Sequence, residues 1–546
     1  MDRRQFMKTA AASGAAAVSP VSAIAARQQS ASDYFGVHEF IENNPDAVFI
    51  MRTNVDDKTN GDAVQAEALG FGRSVFVPKT EADGGIPISH TVGIKPNLTS
   101  RGTWQSKGYS VEGTMGVITD ARFVEGVIES IKELGLSGEQ IHVRETNTSD
   151  DEMVTGGYKA MSDRQGINLN VNSKTVFSID PDELTWKHVE DGVWFKDIPY
   201  LYPFNAPDSF LLNIAKFKTH GMGVTLCSKN MQGMLCHNYQ AFCSGYSLNS
   251  IGMDPAHRNP NAMDDIQNSF DYLKDSIPRW DKPGTDFKGG IGMETWVHRT
   301  LDNHLGSDVG LHIVEGVYGR DGGGFTYGPH VDDTIETTNT QGLAKDFMTN
   351  IVIFGKNQFN VDIIGHWLAG HEPGNFGLFH VAVDRGLNNY LNPLDIPLYE
   401  WKDGAATQAP LSDFERTPLM TYYMQRDYSG QTEDYWHMVD ETFDYATVSV
   451  DQPAISEKPE AMALHQNMPN PFNPNTSIEF SIPSAGAVRL EVYNANGQLV
   501  DVLADSQLRA GSHMAVWNTD NHSSGTYFYR LRHNGYTETK KMTLLK

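Results

Sequence analysis

The stretch "SFLLNIAKFKTH" (209–220) limits what this chain can fold into more than any other. Its first half, Phe210 to Ile214, is apolar except for Asn213, which predicts a strand buried on both faces. Such a strand sits inside a sheet covered by helices, so the fold class it predicts is an α/β domain. The second half runs into Lys216, Lys218 and His220, with Lys229, Asn230, Cys236 and His237 close behind. Alternation puts Lys216, Lys218 and His220 on one side of the strand and Thr219 on the other. Lysine rarely faces a core. The cluster therefore predicts the wall of a wet pocket for an anionic or carboxylate group, with Lys229 and Asn230 adding a cation and an amide. The alternative is a strand end whose lysines are paired with carboxylates.

Segments on either side give this strand its neighbours. "HTVGIKPNL" (90–98) reads as a buried strand that breaks at Pro96. Residues 119–135 place Phe123, Val127, Ile128, Ile131 and Leu134 on one helical face, with Thr119 as a candidate cap and Gly135 as a stop. "QIHVRET" (140–146) follows as a strand with Ile141 and Val143 inward. This β-α-β unit predicts a parallel or mixed sheet. "GLHIVEGVYG" (310–319) and "NIVIFG" (350–355) read as further strands, and "NVDIIGHWLAG" (360–370) as a short helix. Ligands in such sheets sit beyond the C-terminal strand ends. Lys95–Asn97, Lys216–His220, Glu315–His330 and Asn357–Asp362 all fall there, so four distant segments are expected to share one rim.

The chemistry expected at that rim has two forms. In one, Lys218 and His220 are central, Asp362 and Glu315 supply acids, and Lys95, Asn97, Lys216, Lys229, Asn230 and Arg320 hold an anionic ligand. In the other, His220 with His237 and Cys236 ligates a divalent metal, with oxygen from Asp362 or Glu315. "GRDGGGFTYGPH" (319–330) is a Gly-rich loop where Arg320 and Asp321 are placed to orient a ligand; it is neither a Walker A loop nor G-x-G-x-x-G. His366 and His371, five apart in a helical reading, are expected to diverge by about 140° and to be poor joint ligands. Neither H-E-x-x-H nor G-x-S-x-G occurs.

At 546 residues the chain exceeds one core. With 43 Lys and Arg against 68 Asp and Glu, its net charge of −25 argues against nucleic acid or an anionic membrane as partner. Three cysteines, Cys227, Cys236 and Cys243, do not form C-x-x-C, so no iron–sulfur or zinc-ribbon spacing is evident. They read as buried thiols, or as one disulfide and one thiol.

The two ends read as addresses. "MDRRQFMKTAAASGAAAVSPVSAIAA" (1–26) pairs Arg3 and Arg4 with Phe6 and Lys8, followed by an Ala-rich run and small residues at Ala23 and Ala25. It resembles a twin-arginine signal, which implies cleavage near Ala25 or Ala26 and export of a folded protein. No other segment is long and apolar enough to span a membrane. From residue 465, period-2 runs such as "SIEFSI", "VRLEVYN" and "TYFYRLRHN" alternate with turn signals, which predicts a small all-β immunoglobulin-like sandwich. The pattern P-N-P-F-N-P-x-T, then S-G-x-Y-F-Y-R-L, then K-K-M-x-L-L-K resembles a type A sorting domain of type IX secretion. That resemblance implies passage to the cell surface or medium with the type IX machinery as partner, and removal of the tail. Residues 451–464 read as a linker, so the α/β domain is expected over 27–450.

"VGIKPNL", "LLNIAKFKTHGMGVTLCSKNMQGM", "HIVEGVYGRDGGGFTYG" and "VIFGKNQFNVDIIGHWLAG" together resemble the family of domain of unknown function 362, over roughly residues 90–390. The chain departs from the family pattern twice. Glu315 stands where an Asp is usual, and "NQFNVD" keeps only the second acid, Asp362, with Asn357 at the first. Many relatives carry ferredoxin-type cysteines, and this chain does not. The family's reaction is unsettled, so two readings stand. One is an exported enzyme of unknown reaction; the other is a non-catalytic surface protein that binds an anionic or sugar ligand.

Overall fold

The structure is a computed structural model that describes residues 32–99, 111–146, 150–171, 175–220, 223–240, 253–274, 290–323, 326–330, 342–421, 442–445, 462–467, 469–483, 486–508, 511–519 and 522–545. The predicted signal segment, most of the linker and Cys243 lie outside these residues.

A ten-stranded mixed sheet organises the larger part of the chain. Its strands are β1 (Val48–Arg52), β2 (Thr91–Pro96), β3 (Ile141–Arg144), β4 (Asn168–Asn170), β5 (Ser209–His220), β6 (Gly223–Thr225), β7 (Leu311–Arg320), β8 (Asp346–Gly355), β9 (Leu398–Lys402) and β10 (Ala405–Gln408). Their order is β10-β9-β1-β8-β7-β5-β2-β3-β4, and β6 folds back on the end of β5. Strands β7, β5, β2, β3 and β4 run parallel, whereas β8 is antiparallel to both of its neighbours. The apolar strand of the opening motif therefore lies at the centre of the parallel half, with the bounds its sequence predicted.

Two helical layers cover the sheet. On one face, α1 (Gly61–Val75) and α2 (Ala121–Lys132) pack with Ile94, Leu212, Ile214 and Ile313. Gly126 lets these helices touch, because a Cβ there would come within 2.4 Å of the Gln65 carbonyl oxygen. Asp120, not Thr119, caps α2 by accepting from the Arg122 N–H at 2.8 Å. The Thr119 hydroxyl instead joins two segments: it donates to the Ile214 carbonyl and accepts from the Asn97 N–H, both at 2.9 Å. On the other face, α3 (Cys227–Asn230), α4 (Gly290–Gly306), α5 (Gln358–Leu368) and α6 (Gly377–Asp384) pack with Ala215, Phe217, Val314 and Ile353.

The tail forms two antiparallel sheets of three and four strands that share one core, including Phe480, Leu490, Trp517, Tyr529, Leu531 and Met542. One of its strands, Leu499–Leu508, has no apolar alternation in the sequence. It is an edge strand, and Asp501 suits that position.

Between β5 and α3 the core is polar. The Asn213 amide donates to the Cys227 carbonyl at 3.0 Å and to His312 Nδ1 at 3.1 Å, and His312 is buried. Burial, with His304 and Lys356 adding to it, pushes the His312 pKa down to about 3. Native His312 is therefore neutral, while an unfolded histidine takes up a proton below about 6.5. The unfolded chain binds the extra proton between those two values, so stability falls as pH drops through that window. At pH 5 this one residue is expected to cost about 2 kcal/mol relative to pH 7.5. Urea unfolding at both pH values is expected to show a smaller drop by about that amount in His312→Asn. Equal pH dependence in the two proteins would contradict the assignment.

Candidate functional site

The C-terminal ends of β2, β5 and β7 meet at one rim, and most of the predicted site residues gather there. They sort into cations paired with carboxylates inside the fold and a smaller group at the end of β5 and on α3. Lys216 and Glu315 are directly paired across β5 and β7. Lys216 Nζ lies 2.6 and 2.8 Å from the two Glu315 oxygens, and both side chains are fully buried. The ammonium also stands 3.5 Å over the Tyr318 ring, whose hydroxyl donates to Asp120 Oδ2 at 2.6 Å. Burial raises the Glu315 pKa and Lys216 opposes that rise. The expected wet face is thus corrected at this position: the alternating side is the interior between β5, β7 and α2.

Lys95 is likewise enclosed. Its Nζ donates to Glu145 at 2.7 Å, to the Pro96 carbonyl at 2.6 Å and to Asn230 Oδ1 at 3.0 Å. Asn230 completes the junction by donating to the Lys95 carbonyl and to Asn213 Oδ1, at 3.0 and 2.7 Å. Asn97 donates to the same Asn230 oxygen at 3.2 Å. Gly233 permits this packing, since a Cβ would approach Glu145 Oε1 to 2.1 Å and Lys95 Cε to 2.3 Å. Burial lowers the Lys95 pKa, with Glu145 opposing and Lys229 adding to the shift.

Arg320 is also engaged, bonding Asp346 at 2.9 and 3.0 Å, the Gly113 carbonyl at 2.7 Å and the Met115 carbonyl. Lys58 shares Asp346 at 2.7 Å. Arg320 therefore ties residues 113–115 to the rim. Asp362 accepts from the Cys227 and Ser228 N–H groups, at 2.7 and 2.8 Å, and so caps α3. Burial pushes its pKa up to about 7 against those hydrogen bonds. Asn357 does the same for α5, accepting from Phe359 and Asn360 at 3.0 and 3.2 Å.

Lys218, His220 and Lys229 form the remaining group. Lys218 is buried and donates to the Val117 carbonyl at 2.5 Å. Burial holds its pKa well below the usual lysine range, with Lys229, Arg320 and Lys216 adding to this. His220 is partly exposed at the end of β5, and its pKa is lowered by desolvation and then by Lys229 and Lys218. Lys229 is half-buried on α3, and no carboxylate lies within ion-pair distance of it among the described residues. At this rim His220, Lys218 and Lys229 act on one another: the two lysines each lower the His220 pKa, and Lys229 lowers that of Lys218.

The metal and thiol readings rest on other positions. Cys227 is a buried free thiol whose pKa is raised by burial and by Asp362, and Cys236 is buried with its pKa raised to about 11. Neither favours a thiolate near neutral pH. His237 Nδ1 is buried without a hydrogen-bond partner. Among the described residues, no three His, Cys, Asp or Glu side chains converge to hold a metal ion. His371 is not on a helix with His366, since α5 ends at Leu368. The two rings instead come to 5.8 Å between centres, and His371 Nε2 lies 2.7 Å from the Leu419 carbonyl.

A dyad at the Gly-rich loop was not read as a pair from sequence. Asp321 is buried, with Oδ2 2.6 Å from His330 Nε2 and Oδ1 accepting from the Lys345 N–H at 2.7 Å. Glu145 is a further residue that sequence did not single out: it lies one residue past β3, and its carboxylate meets Lys95 Nζ at 2.7 Å.

Comparison with known proteins now bears on this geometry. The family description "Domain of unknown function (DUF362)" matches residues 92–365, which spans the rim and half of the chain. The chain belongs to this family. In this DUF362 protein, a twin-arginine translocation signal matches residues 1–20 and a secretion system C-terminal sorting domain matches residues 468–544. The protein is therefore exported through the periplasm to the cell surface or medium, with the twin-arginine and type IX machineries as partners. Among the described residues no helix is long and apolar enough to cross a membrane. The chain is also similar to Carboxylesterase 20 of Arabidopsis thaliana, at 36% identity over 106 residues, covering 18% of this chain and 30% of that protein.

The Lys216–Glu315 pair makes a sharp expectation. Lys216→Met leaves Glu315 buried alone and is expected to cost about 3–5 kcal/mol in urea unfolding. Adding Glu315→Leu is expected to restore most of that loss. A single variant as stable as the parent would show that the pair is not structural.

Proposed function

We propose that this exported DUF362 domain takes a small anionic ligand at the rim formed by Lys218, His220 and Lys229. The observation that carries this reading is Lys229, a half-buried lysine with no carboxylate near it among the described residues, set against two further basic groups. Cations held together in this way are disfavoured in the empty state, and an anion relieves them. His220, kept neutral, suits proton transfer to or from that ligand, which supports the enzyme reading with Lys218 and His220 central. Asp362 and Glu315 serve this reading as supports, the first holding α3 and Lys229, the second holding β7 to β5. The esterase likeness covers too little of either protein to supply a reaction, and no G-x-S-x-G elbow stands in this sequence. The tail's two sheets fit an immunoglobulin-like sandwich that serves as the sorting address.

Calorimetric titration of the secreted chain with inorganic phosphate and with acetate tests this. Saturable binding is expected, weakened by about tenfold or more in Lys229→Ala, because a hydrogen bond to a charged group contributes about 1.5–3 kcal/mol. The melting temperature of that variant is expected to stay close to the parent's, since the Lys229 side chain holds no ion pair among the described residues. Binding that survives Lys229→Ala would place the anion elsewhere. His220→Gln is expected to keep phosphate binding if the imidazole acts in proton transfer. Elemental analysis of the same preparation tests the metal reading at His220 and His237.

A further inference from the structure

The outer edge of the sheet carries a second polar surface, away from the Lys229 rim. Strand register pairs His142 with Asn168 and Arg144 with Asn170. Alternate residues share a face, so these four side chains form a two-by-two array, opposite the buried Ile141 and Val143. A cleft of about 730 Å³ opens over this array, and Glu183 and Tyr202 also line it. A sheet face that is merely covered would be apolar; this one holds hydrogen-bonding groups.

One of those groups is held ready. Arg144 is only 5% exposed, and its Nη2 donates to Glu183 at 3.3 Å. Its Nε is buried with no hydrogen-bond partner. Buried donors in native proteins are nearly always satisfied, so this N–H points to a missing acceptor. Asn168 Nδ2 lies 3.2 Å from His142 Nε2, and burial followed by Arg144 pushes the His142 pKa down to about 4. The imidazole is therefore neutral at physiological pH and takes the Asn168 hydrogen bond at Nε2, which leaves Nδ1–H as a donor. The Tyr202 ring stands edge-on to His142, with centres 5.5 Å apart.

Charge selects the ligand. Arg144 is balanced by Glu183, and Lys159, also in the lining, is paired with Asp163. The cleft has no net charge to offer an anion or a cation. It offers amides, an imidazole, a guanidinium N–H and an aromatic ring. Hydroxyl groups, each both donor and acceptor, match such a mixed set.

We propose that this cleft binds a neutral polyhydroxylated ligand, one monosaccharide unit, through Arg144 Nε and the side-chain amides of Asn168 and Asn170. The site is independent of the anion site at Lys229, and either can fail without the other. The probes are glucose, galactose, mannose and N-acetylglucosamine, with glucuronate and inorganic phosphate as charged comparators, titrated calorimetrically into the full chain at millimolar concentration. At least one neutral sugar is expected to bind, with glucuronate and phosphate weaker at this cleft. Asn168→Ala changes an exposed side chain whose Nδ2 bonds the Glu139 carbonyl and His142, so a small fall in melting temperature is expected; sugar binding is expected to weaken about tenfold, the scale of one well-placed hydrogen bond. Arg144→Lys keeps a cation beside Glu183 but removes the Nε donor, and is expected to weaken it similarly. Lys229→Ala is expected to leave sugar binding intact. The proposal is overturned if none of the four sugars binds, if glucuronate binds the Lys229→Ala chain more tightly than the neutral sugars do, or if Asn168→Ala binds as the parent does.

Discussion

The buried pair of Lys216 and Glu315 is the interaction on which the rest of the parallel half depends. It joins β5 to β7 at the point where the hydrophobic run gives way to polar residues. Two charges without solvent are tolerated only when each satisfies the other and further bonds complete the shell. Tyr318 supplies that shell through its ring, and its hydroxyl reaches the cap of α2 through Asp120. The sheet centre, the covering helix and the rim are therefore fixed relative to one another by one contiguous polar chain.

The same logic is repeated one strand away. Lys95 with Glu145 joins β2 to the end of β3, and Asn230 carries that junction onto α3. Asp362 fixes the other end of α3. Lys229 rides on this short helix between two anchors, so its position is set although its own side chain makes no ion pair among the described residues. Internal polar pairs thus do the holding, and Lys229 stays half-buried beside them.

Much of this architecture was legible in the sequence. The run from Phe210 to Ile214, broken only by Asn213, identified the central strand, and the apolar face within residues 119–135 identified α2, because both signals are strong and local. Strand β1 and the edge strand Asn168–Asn170 were not visible, being short and without alternation. The rule about strand ends brought Lys95, Lys216, Lys218 and Glu315 to one rim but not Asn357: β8 is antiparallel, so Gly355 lies opposite His312, at the other end of β7. What sequence could not supply was partner choice. The pairing of Lys216 with Glu315 depends on register across 99 residues, and that of Lys95 with Glu145 on the turn of the chain past β3, 50 residues away. Residue type alone made these lysines ligand candidates, whereas register made two of them structural.

The central claim is that cations at this rim divide into those paired inside and those left for a ligand, with Lys229 in the second group. The most direct measurement is an anomalous-scattering map from crystals of the secreted chain soaked in arsenate. The account predicts an arsenic peak within hydrogen-bond distance of Lys229 Nζ, beside Lys218 and His220, with Lys216 still on Glu315. Arsenate found only on surface lysines, with Lys229 turned onto a carboxylate of its own chain, would contradict it.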